Sequence, residues 1–475
     1  MLFNSIEFLI FLPTVFFLYW FVFNKNLRNQ NLLLLFSSYV FYGWWDYRFL
    51  LLIISSTVVD YIIGIKIHEC REEKKSQVYL WFSVLFNIGV LGFFKYYNFF
   101  VDSWIEAFSS IGYNIENTWT LNIILPVGIS FYTFQTMSYS IDIYKKKLEP
   151  TKDFISFSSF VSFFPQLVAG PIERASNLLP QILKKREFNY EKATQGLRLI
   201  LWGMFKKVVI ADSLAPKVNE IFADYQNLDG GTLWLGSFYF AFQIYCDFSG
   251  YSDIAIGTSK LFGFELMSNF KFPYFSRNIG EFWKRWHISL STWFRDYLYI
   301  PLGGSKNSKI VSLRNIFVIF IVSGFWHGAN WTFIFWGLLH AFLYIPSFVF
   351  RTNRKYSSSV AGEKSKLPSI LEAYQICITF FFVLIGWVFF RSENIANSFD
   401  YLLRMFSEFS IPPIKYLKYI GYILLLIPIE WFLRHDERLS KPIFKNESWL
   451  LIVLSFIAIN YILASKNNEF IYFEF

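Results

Sequence analysis

Residues 315–350 read NIFVIFIVSGFWHGANWTFIFWGLLHAFLYIPSFVF, a run of 36 residues that contains no Asp, Glu, Lys or Arg. A helix needs roughly 20 apolar residues to cross a bilayer. The motif GFWHGAN at 324–330 interrupts the run, so the pattern predicts two apolar helical segments that flank His327. A helix rising about 1.5 Å per residue from Arg314 would carry His327 about 20 Å into the hydrocarbon.

The surroundings of His327 make it a candidate for chemistry. A polar side chain at membrane depth is costly and tends to face a cavity or a partner. Gly324, Gly328 and Asn330 beside it would leave backbone groups poorly paired, which a membrane permits only beside protein or water. We therefore expect His327 to be functional and Asn330 to contact substrate.

The composition of the whole chain indicates a membrane protein. Hydrophobic residues make up 54% and charged residues 17%, whereas a soluble globular chain is about a quarter charged. The sequence predicts an all-α polytopic integral membrane protein with about 10–12 transmembrane helices, plus re-entrant or interfacial helices. The expected spans are 3–23, 32–45, 49–65, 78–99, 123–144, 196–211, 233–246, two segments flanking His327, 375–390, 417–432 and 449–464.

The distribution of charge predicts an orientation. The net charge is +9, but the basic residues fall in short loops between apolar runs, which disfavours nucleic acid as a partner. The loops at 66–75 and 145–152 are basic, whereas the loop at 101–120 is acidic. Alternation of this kind places both termini outside the cytoplasm. The three cysteines have no metal-type spacing, so we expect no metal site.

Residues 281–300 are predicted to form one amphipathic helix. Its polar residues recur at three- and four-residue spacings, and His287, Ser291 and Arg295 are successive i, i+4 neighbours on one face. Periodicity alone leaves two alternatives open, because such a helix could also be an interfacial anchor. Arg285 and Ser291 are candidate substrate contacts if the face is functional.

Several motifs resemble those of the membrane-bound O-acyltransferases, and most closely the bacterial alginate O-acetylation branch. They occupy most of residues 1–350 in the family's order. The motifs are FYGWWDYRF (41–49), LPVGISFYTFQTMSYSIDIYKKK (125–147), FFPQLVAGPIER (163–174), YCDFSGYSDIAIGTSKLFGF (245–264), RWHISLSTWFRDYLYIPLGG (285–304) and SGFWHGANWTFIFWGLLHA (323–341).

The resemblance implies one transmembrane O-acyltransferase domain over 1–475, with core motifs at 125–341 and a central tunnel. It implies that His327 is the catalytic histidine and that His287 lines the same site. The expected reaction moves an acetyl group from cytoplasmic acetyl-CoA to a surface polysaccharide or peptidoglycan. A separate periplasmic acetyltransferase of the SGNH type is the expected partner, the bacterial cytoplasmic membrane the expected location, and no bound cofactor is implied.

The residues agree with acyl transfer. A hydroxyl that attacks a thioester needs a base near neutral pH, and histidine suits that role. His287 or backbone amides could then stabilise the oxyanion. Alternatively, the imidazole itself attacks and carries the acyl group briefly. The sequence does not separate these mechanisms.

Other polar residues have two interpretations each. Asp247 and Asp253, with Ser249 and Ser252, could line the tunnel, where Asp247, Ser249 and Asp253 would bind substrate. Alternatively, the carboxylates could pair with Lys or Arg to hold helices together. His340 is expected to pack in the core, and Asp60 and Glu430 are expected to have structural partners.

Two further functions remain as alternatives. D-alanyl transfer to teichoic acid is performed within the same family, although its motif around Pro171 usually differs from VAGPIER. A transporter without catalysis would also explain polar groups at the midplane, but it predicts internal repeats, and none is visible in this sequence.

Overall fold

The computed structural model describes residues 1–441, 453–454 and 456–457, apart from 114–118, 169, 307, 357–358, 364–365 and 408. Every regular element within them is helical, which confirms the predicted all-α class. The expected last span, 449–464, falls almost wholly outside the described residues, as does the C-terminus. The chain divides into two compact units, one of Met1–Asn189 with Leu261–Leu266, and one of Tyr190–Lys260 with the residues from Met267 onward.

The first unit contains nine α-helices in the part of it that the structure describes. They are α1 (Ile6–Phe17), α2 (Leu27–Gly43), α3 (Leu50–Glu69), α4 (Glu73–Leu91), α5 (Tyr97–Ser110), α6 (Ile129–Tyr144), α7 (Phe154–Val161), α8 (Phe164–Leu167) and α9 (Ala175–Ile182). Short π-helical turns at Leu18–Val22 and Gly92–Tyr96 and a 3₁₀ turn at Tyr47–Phe49 extend three of them.

Eleven α-helices belong to the second unit, within the described residues. They are α10 (Tyr190–Met204), α11 (Asp212–Ala223), α12 (Gly230–Leu261), α13 (Ile279–Arg285), α14 (Ile288–Phe294), α15 (Lys309–His327), α16 (Trp331–Val349), α17 (Ile370–Arg391), α18 (Ile395–Phe406), α19 (Ile414–Leu417) and α20 (Ile420–Leu433). The π-helices Phe205–Ala211 and Arg295–Tyr299 continue α10 and α14, and 3₁₀ turns occupy Tyr225–Asn227, Pro273–Phe275 and Thr352–Arg354.

Six helical segments of the described chain are long and apolar enough to cross a membrane. They are Tyr47–Glu69, Glu73–Ser110, Lys309–His327, Trp331–Val349, Ile370–Arg391 and Ile414–Leu433, and Ile6–Val22 and Phe154–Leu167 are shorter apolar helices. The protein is therefore a multi-pass membrane protein. The expected spans at 196–211 and 233–246 fall on α10 with its π-helical extension and on α12. Both of these carry buried charges, which lower their hydropathy.

The first unit is held together at a buried carboxylate. Asp60 on α3 accepts hydrogen bonds from Asn87 Nδ2 at 2.7 Å and from Ser140 Oγ at 2.8 Å, and also from Ser83 Oγ. The expected structural partners of Asp60 are thus neutral donors on α4 and α6. The expected acidic loop at 101–120 is helical as far as Ser110, because α5 continues the apolar helix.

Helices α15 and α16 form the hairpin that the glycine-rich motif predicted. Gly324 and Gly337 permit their close approach, since a Cβ at Gly324 would overlap the backbone oxygen of Phe333, and one at Gly337 that of Phe320. Helix α15 spans about 27 Å at 1.5 Å per residue, and His327 is its last residue. His327 therefore lies at the tip of the hairpin rather than in the middle of a span.

The prediction of one continuous helix over 281–300 is wrong. Helix α13 ends at Arg285, and His287 adopts a left-handed conformation (φ 44°) before α14 begins. The cause is the segment around Asn269, which lies beside the chain here. The backbone N–H of Ile288 donates to Asn269 O at 2.9 Å and that of Lys271 donates to Arg285 O at 3.0 Å, which removes these groups from a continuous helical ladder.

Candidate active site

The structure brings His327 and His287 together inside the second unit. Their ring centroids are 6.4 Å apart, and the residues are 2% and 1% exposed, respectively. Trp326 contacts both histidines, because its ring centroid lies 5.0 Å from that of His327 and 5.9 Å from that of His287. The ring of Phe390 on α17 lies 5.4 Å from that of His327. The two histidines thus share one aromatic, protein-enclosed environment.

Asn269 fixes the proton on His287. The backbone N–H of Ser289 donates to Asn269 Oδ1 at 3.3 Å, which identifies that atom as the amide oxygen. His287 Nδ1 lies 3.1 Å from the same oxygen and must therefore be the protonated, donating nitrogen. Asn269 Nδ2 in turn donates to Ser252 Oγ on α12 at 3.1 Å, and turning the amide over would place Nδ2 against the N–H of Ser289.

His287 is therefore a hydrogen-bond acceptor at its other nitrogen. Burial lowers the pKa of His287 to about 3, so the imidazole is neutral near pH 7. With the proton on Nδ1, a lone pair occupies Nε2. Nε2 is buried and has no hydrogen-bond partner among the described residues. A neutral imidazole in this tautomer accepts a hydrogen bond, and it cannot donate one to an oxyanion as the sequence interpretation envisaged.

Asp247 and Asp253 form ion pairs, the second of their two predicted interpretations. Lys207 Nζ lies 2.7 Å from Asp247 Oδ1 and 2.8 Å from Asp212 Oδ1. Lys206 Nζ lies 2.6 Å from Asp253 Oδ2 and donates to Ser249 Oγ at 2.9 Å. We call Lys206, Lys207, Asp212, Asp247 and Asp253 the lysine–carboxylate cluster.

The π-helix Phe205–Ala211 explains how two successive lysines reach α12. A π-helical turn holds more residues than an α-helical turn and shifts the direction of the side chains. Lys206 and Lys207 are both buried there and meet carboxylates six residues apart on α12. Glu430, the other expected structural carboxylate, accepts a hydrogen bond from Tyr245 OH at 2.7 Å.

The remaining predicted substrate contacts have structural partners within the protein. Asn330 caps α16 by accepting from Thr332 N at 2.9 Å, and its Nδ2 donates to Glu393 O at 2.8 Å. Arg285 Nη2 lies 2.8 Å from Glu281 Oε1, and Ser291 Oγ donates to Trp286 O at 3.4 Å. Arg295 pairs with Asp296 and its side chain is 58% exposed, so it does not share the buried environment of His287.

Sequence reasoning missed Asn269 and Ser289 as parts of this site, whereas Ser252 was among the residues expected to line the tunnel. Asn269 lies in an irregular segment 18 residues before His287, where no periodicity links the two. A chemical argument could have predicted such a residue, because a functional histidine commonly needs a hydrogen-bonding group that fixes the proton on its second nitrogen. We call His287, His327 and Asn269 the histidine site.

The two buried imidazoles lie within a helical membrane unit, His327 at the tip of the α15–α16 hairpin and His287 at the break between α13 and α14. The profile of MBOAT, the membrane-bound O-acyltransferase family, matches residues 145–382 and includes both histidines. The chain belongs to this family and is a membrane-bound O-acyltransferase.

Several curated relatives are similar over most of the chain. A probable alginate O-acetylase AlgI of Pseudomonas syringae is 44% identical over 83% of this chain and 73% of its own length. The peptidoglycan O-acetyltransferase of Helicobacter pylori is 34% identical and aligns with 100% of this chain and 98% of its own. A teichoic acid D-alanyltransferase of Bacillus subtilis is 29% identical over 57% of this chain and 70% of its own.

Proposed function

We propose that this protein transfers an acetyl group from acetyl-CoA for the O-acetylation of a cell-surface polysaccharide or peptidoglycan. The observation that carries the proposal is the pair of buried imidazoles with ring centroids 6.4 Å apart, on motifs of the family profile. The names of two relatives that align with 83% and 100% of this chain, both O-acetylating, support acetyl as the group. We propose further that residues 1–475 form a single transmembrane O-acyltransferase domain.

His327 is the proposed general base. It takes the proton of the acceptor hydroxyl as the oxygen attacks the thioester carbonyl. The C–S bond then breaks, and the departing thiolate receives the proton from His327. The imidazole is thereby regenerated, and the products are an O-acetyl ester and a free thiol. Transient acylation of His327 is the alternative within the same reaction.

His287 has a different proposed role. Its Nε2 lone pair accepts a hydrogen bond from a donor group of the bound substrates and so positions them against His327. Stabilisation of the oxyanion is then left to other donors, such as backbone N–H groups near the broken turn at Gly328. Asn269 is a positioning residue, because it keeps the His287 proton on Nδ1.

The acceptor can be tested directly with purified protein in nanodiscs. Acetyl-CoA is supplied with alginate or peptidoglycan oligosaccharides, with and without an SGNH-type periplasmic acetyltransferase. The assay measures release of the CoA thiol and the mass of the product. A gain of one acetyl group that depends on His327 is the expected result. Transfer of D-alanine from its carrier, with no reaction of acetyl-CoA, would replace the proposal with the teichoic acid alternative.

We also propose that the protein lies in the bacterial cytoplasmic membrane with both termini outside. The acidic segment at 101–120 and the basic segment at 145–152 then lie on opposite sides. In a variant lacking Cys70, Cys246 and Cys377, a cysteine at Ile111 should react with an impermeant thiol reagent in intact cells. A cysteine at Lys147 should react only after lysis. The reverse pattern would overturn this orientation.

A further inference from the structure

A cavity of about 250 Å³ lies where the end of α11 and the turn after it meet the end of α17 and the first turns of α18. A buried water needs only about 10–15 Å³ of such space, whereas pockets for whole drug-sized ligands begin at about 300 Å³. The cavity therefore suits one polar unit of about the size of a single ring. We call it the amide-lined cavity, and its lining includes Asn219, Phe222, Gln226, Arg391, Glu393 and Asn397.

The amide-lined cavity is connected to the active site through two short stretches of chain. The ring of Phe390 lies 5.4 Å from that of His327, and the next residue, Arg391, lines the cavity. Asn330, three residues after His327, donates from Nδ2 to the backbone oxygen of Glu393 at 2.8 Å, and Glu393 lines the cavity as well. Neither site histidine is among the lining residues, so the cavity is a separate site close to the chemistry.

The connection between α16 and α17 places the cavity on one side of the membrane. Helix α16 begins and helix α17 ends beside the cavity, and the basic segment 351–366 joins their opposite ends. Basic segments of this kind mark the cytoplasmic side. In the proposed orientation, the cavity therefore lies on the outer side, where the acceptor polymer is found.

Part of the lining is a packed group of aromatic rings. The rings of Phe222 and Tyr401 are stacked with centroids 4.6 Å apart and an interplanar angle of 15°, and the ring of Tyr225 lies 5.7 Å from that of Tyr401. Tyr401 also donates from its hydroxyl to Leu233 O at 2.8 Å, which fixes its ring. A rigid aromatic surface favours a ligand that presents a flat face of C–H groups.

The polar side chains of the cavity can both donate and accept hydrogen bonds. Asn219 Oδ1 accepts from Arg391 Nη2 at 2.9 Å, and Gln226 Nε2 makes a long bond of 3.4 Å to Tyr225 OH. The side-chain amide of Asn397 makes no hydrogen bond within the described part of the chain, since only its backbone N–H is engaged. Amides of this kind match hydroxyl groups, which also donate and accept.

The charges of the lining disfavour an anionic ligand such as a phosphate or a nucleotide. Among the described lining residues, the cation Arg391 is accompanied by the carboxylate of Glu393. Phosphate groups are usually recognised by clusters of Arg or by the backbone N–H groups of a glycine-rich loop. The lining therefore suits a hydroxyl-rich ligand that needs no excess of positive charge.

We propose that the amide-lined cavity binds a pyranose unit of the acceptor glycan. The sugar hydroxyls pair with the amides of Asn219, Gln226 and Asn397, and the C–H face of the ring packs on the aromatic group. The unit bound here anchors the polymer, and a different unit of the same chain is modified. The inference rests on the proposed function and adds that the glycan contacts this protein directly, outside the histidine site.

The test measures glycan binding, separately from turnover. Purified protein in nanodiscs is titrated with two fluorescently labelled probes, an alginate tetrasaccharide and the uncharged tetramer of N-acetylglucosamine. Maltoside detergents are avoided, because their headgroup is itself a sugar. Asn397→Leu removes the amide, and Ala223→Trp places a large side chain at an exposed position of the lining. We expect each variant to bind at least one probe about tenfold more weakly than the wild type does.

Matched controls carry the same changes elsewhere. Asn29 occupies the third position of α2 and donates from its backbone N–H to Asn26 Oδ1, just as Asn397 occupies the third position of α18 and donates to Asn394 Oδ1. Asn29→Leu should therefore bind both probes normally. Ala107 is an exposed alanine of α5 that does not line the cavity, so Ala107→Trp should also bind normally.

The outcomes separate this inference from the proposed function. His327→Gln should bind the glycan normally yet fail to transfer acetyl. Absence of binding of either probe to the wild type, or normal binding by folded Asn397→Leu and Ala223→Trp proteins, would overturn the sugar site. The acetyl-transfer proposal would be unaffected by that result, because release of the CoA thiol and the product mass judge it. Glycan binding that both variants weaken, in a protein that does not react with acetyl-CoA, would support the site and refute the acetyl donor.

The two probes distinguish the source of the sugar. Tighter binding of the alginate probe that weakens with added salt indicates that Arg391 also pairs with the uronate carboxylate. Equal, salt-independent binding of the two probes indicates recognition of the ring and its hydroxyls alone. A peptidoglycan stem peptide is titrated in parallel. Binding of this peptide that Ala223→Trp abolishes, with no binding of either glycan, would assign the cavity to a peptide and overturn the inference.

Discussion

The histidine site and the lysine–carboxylate cluster are both buried polar regions of the second unit, but their polar groups are satisfied differently. In the cluster, each lysine nitrogen lies 2.6–2.8 Å from a carboxylate oxygen. In the histidine site, Asn269 satisfies one nitrogen of His287 and leaves Nε2 without a partner among the described residues. A region in which every charged group has a partner of opposite sign suits a structural role, whereas a buried lone pair at a broken helix suits contact with a substrate.

The largest effect should follow from loss of the proposed base. His327→Gln retains hydrogen-bonding capacity but cannot accept the hydroxyl proton, so acetyl transfer should fall by about 100- to 10,000-fold. The variant should still insert and purify with the wild-type yield. Radiolabelled acetyl incorporation into the polymer measures the rate.

His68→Gln is the matched control, because His68 is an exposed residue in the last turn of α3. Its activity should equal that of the wild type. Substantial transfer by a stably inserted His327→Gln protein would remove His327 as the base and weaken the distinction between the two regions.

The next effect concerns stability. Lys207→Met removes the cation that pairs with both Asp247 and Asp212, so each of these buried carboxylates loses its ion pair with Lys207. Breaking a buried pair in this way typically costs about 3–5 kcal/mol of stability. The thermal unfolding midpoint in detergent and the monodisperse fraction should both drop, while turnover per folded molecule stays close to normal.

Lys75→Met removes a lysine–carboxylate ion pair at the surface and serves as the control. Lys75 pairs with Glu72, and the two side chains are 64% and 65% exposed. That change should leave the unfolding midpoint nearly unaltered. A stable Lys207→Met protein with turnover as low as that of His327→Gln would assign the cluster to the active site.

The hairpin around His327 shows what the sequence could predict. Its charge-free run, its glycines and the break after His327 are local features, and helices α15 and α16 follow them. The left-handed His287 and its bond to Asn269 were not predictable, because they depend on residues that meet only after folding. Likewise, the spacing of Asp247 and Asp253 gave no information about lysines on a π-helix more than 35 residues earlier.

A smaller effect is expected at Asn269, through the protonation of His287. Asn269→Asp keeps the acceptor oxygen but adds a negative charge, which raises the pKa of His287 from its depressed value of about 3. Protonated His287 has no lone pair on Nε2, so activity should be lost as pH falls through the raised pKa. The acidic limb of the pH–rate profile should therefore move to higher pH, with near-normal rates at alkaline pH.

Two further variants test whether the shift of the acidic limb arises from His287. His287→Ala should lower acetylation strongly while the protein still accumulates in the membrane. Asn269→Leu removes the oxygen that accepts the His287 proton but adds no charge. It should therefore slow the reaction about 10- to 100-fold without moving the acidic limb of the pH–rate profile. An unshifted profile in a folded, active Asn269→Asp protein would show that the proton on His287 does not control the reaction.

The smallest effect should occur at Ser291, one i, i+4 position from His287. The left-handed His287 lies directly before α14, and Ser291 Oγ donates to Trp286 O at 3.4 Å, a long bond that stays within the turn. Ser291→Ala should therefore lower the rate no more than about twofold and stability by about 0.5 kcal/mol, the lower range for a single hydrogen bond. KM and kcat are measured in the same way for Ser289→Ala, and the two serine variants are compared. Ser289 is the serine in contact with the site, because its Oγ donates to Asn269 Oδ1 at 2.9 Å. A large loss at Ser291 with none at Ser289 would restore the shared polar face that periodicity first suggested and would remove Asn269 from the site.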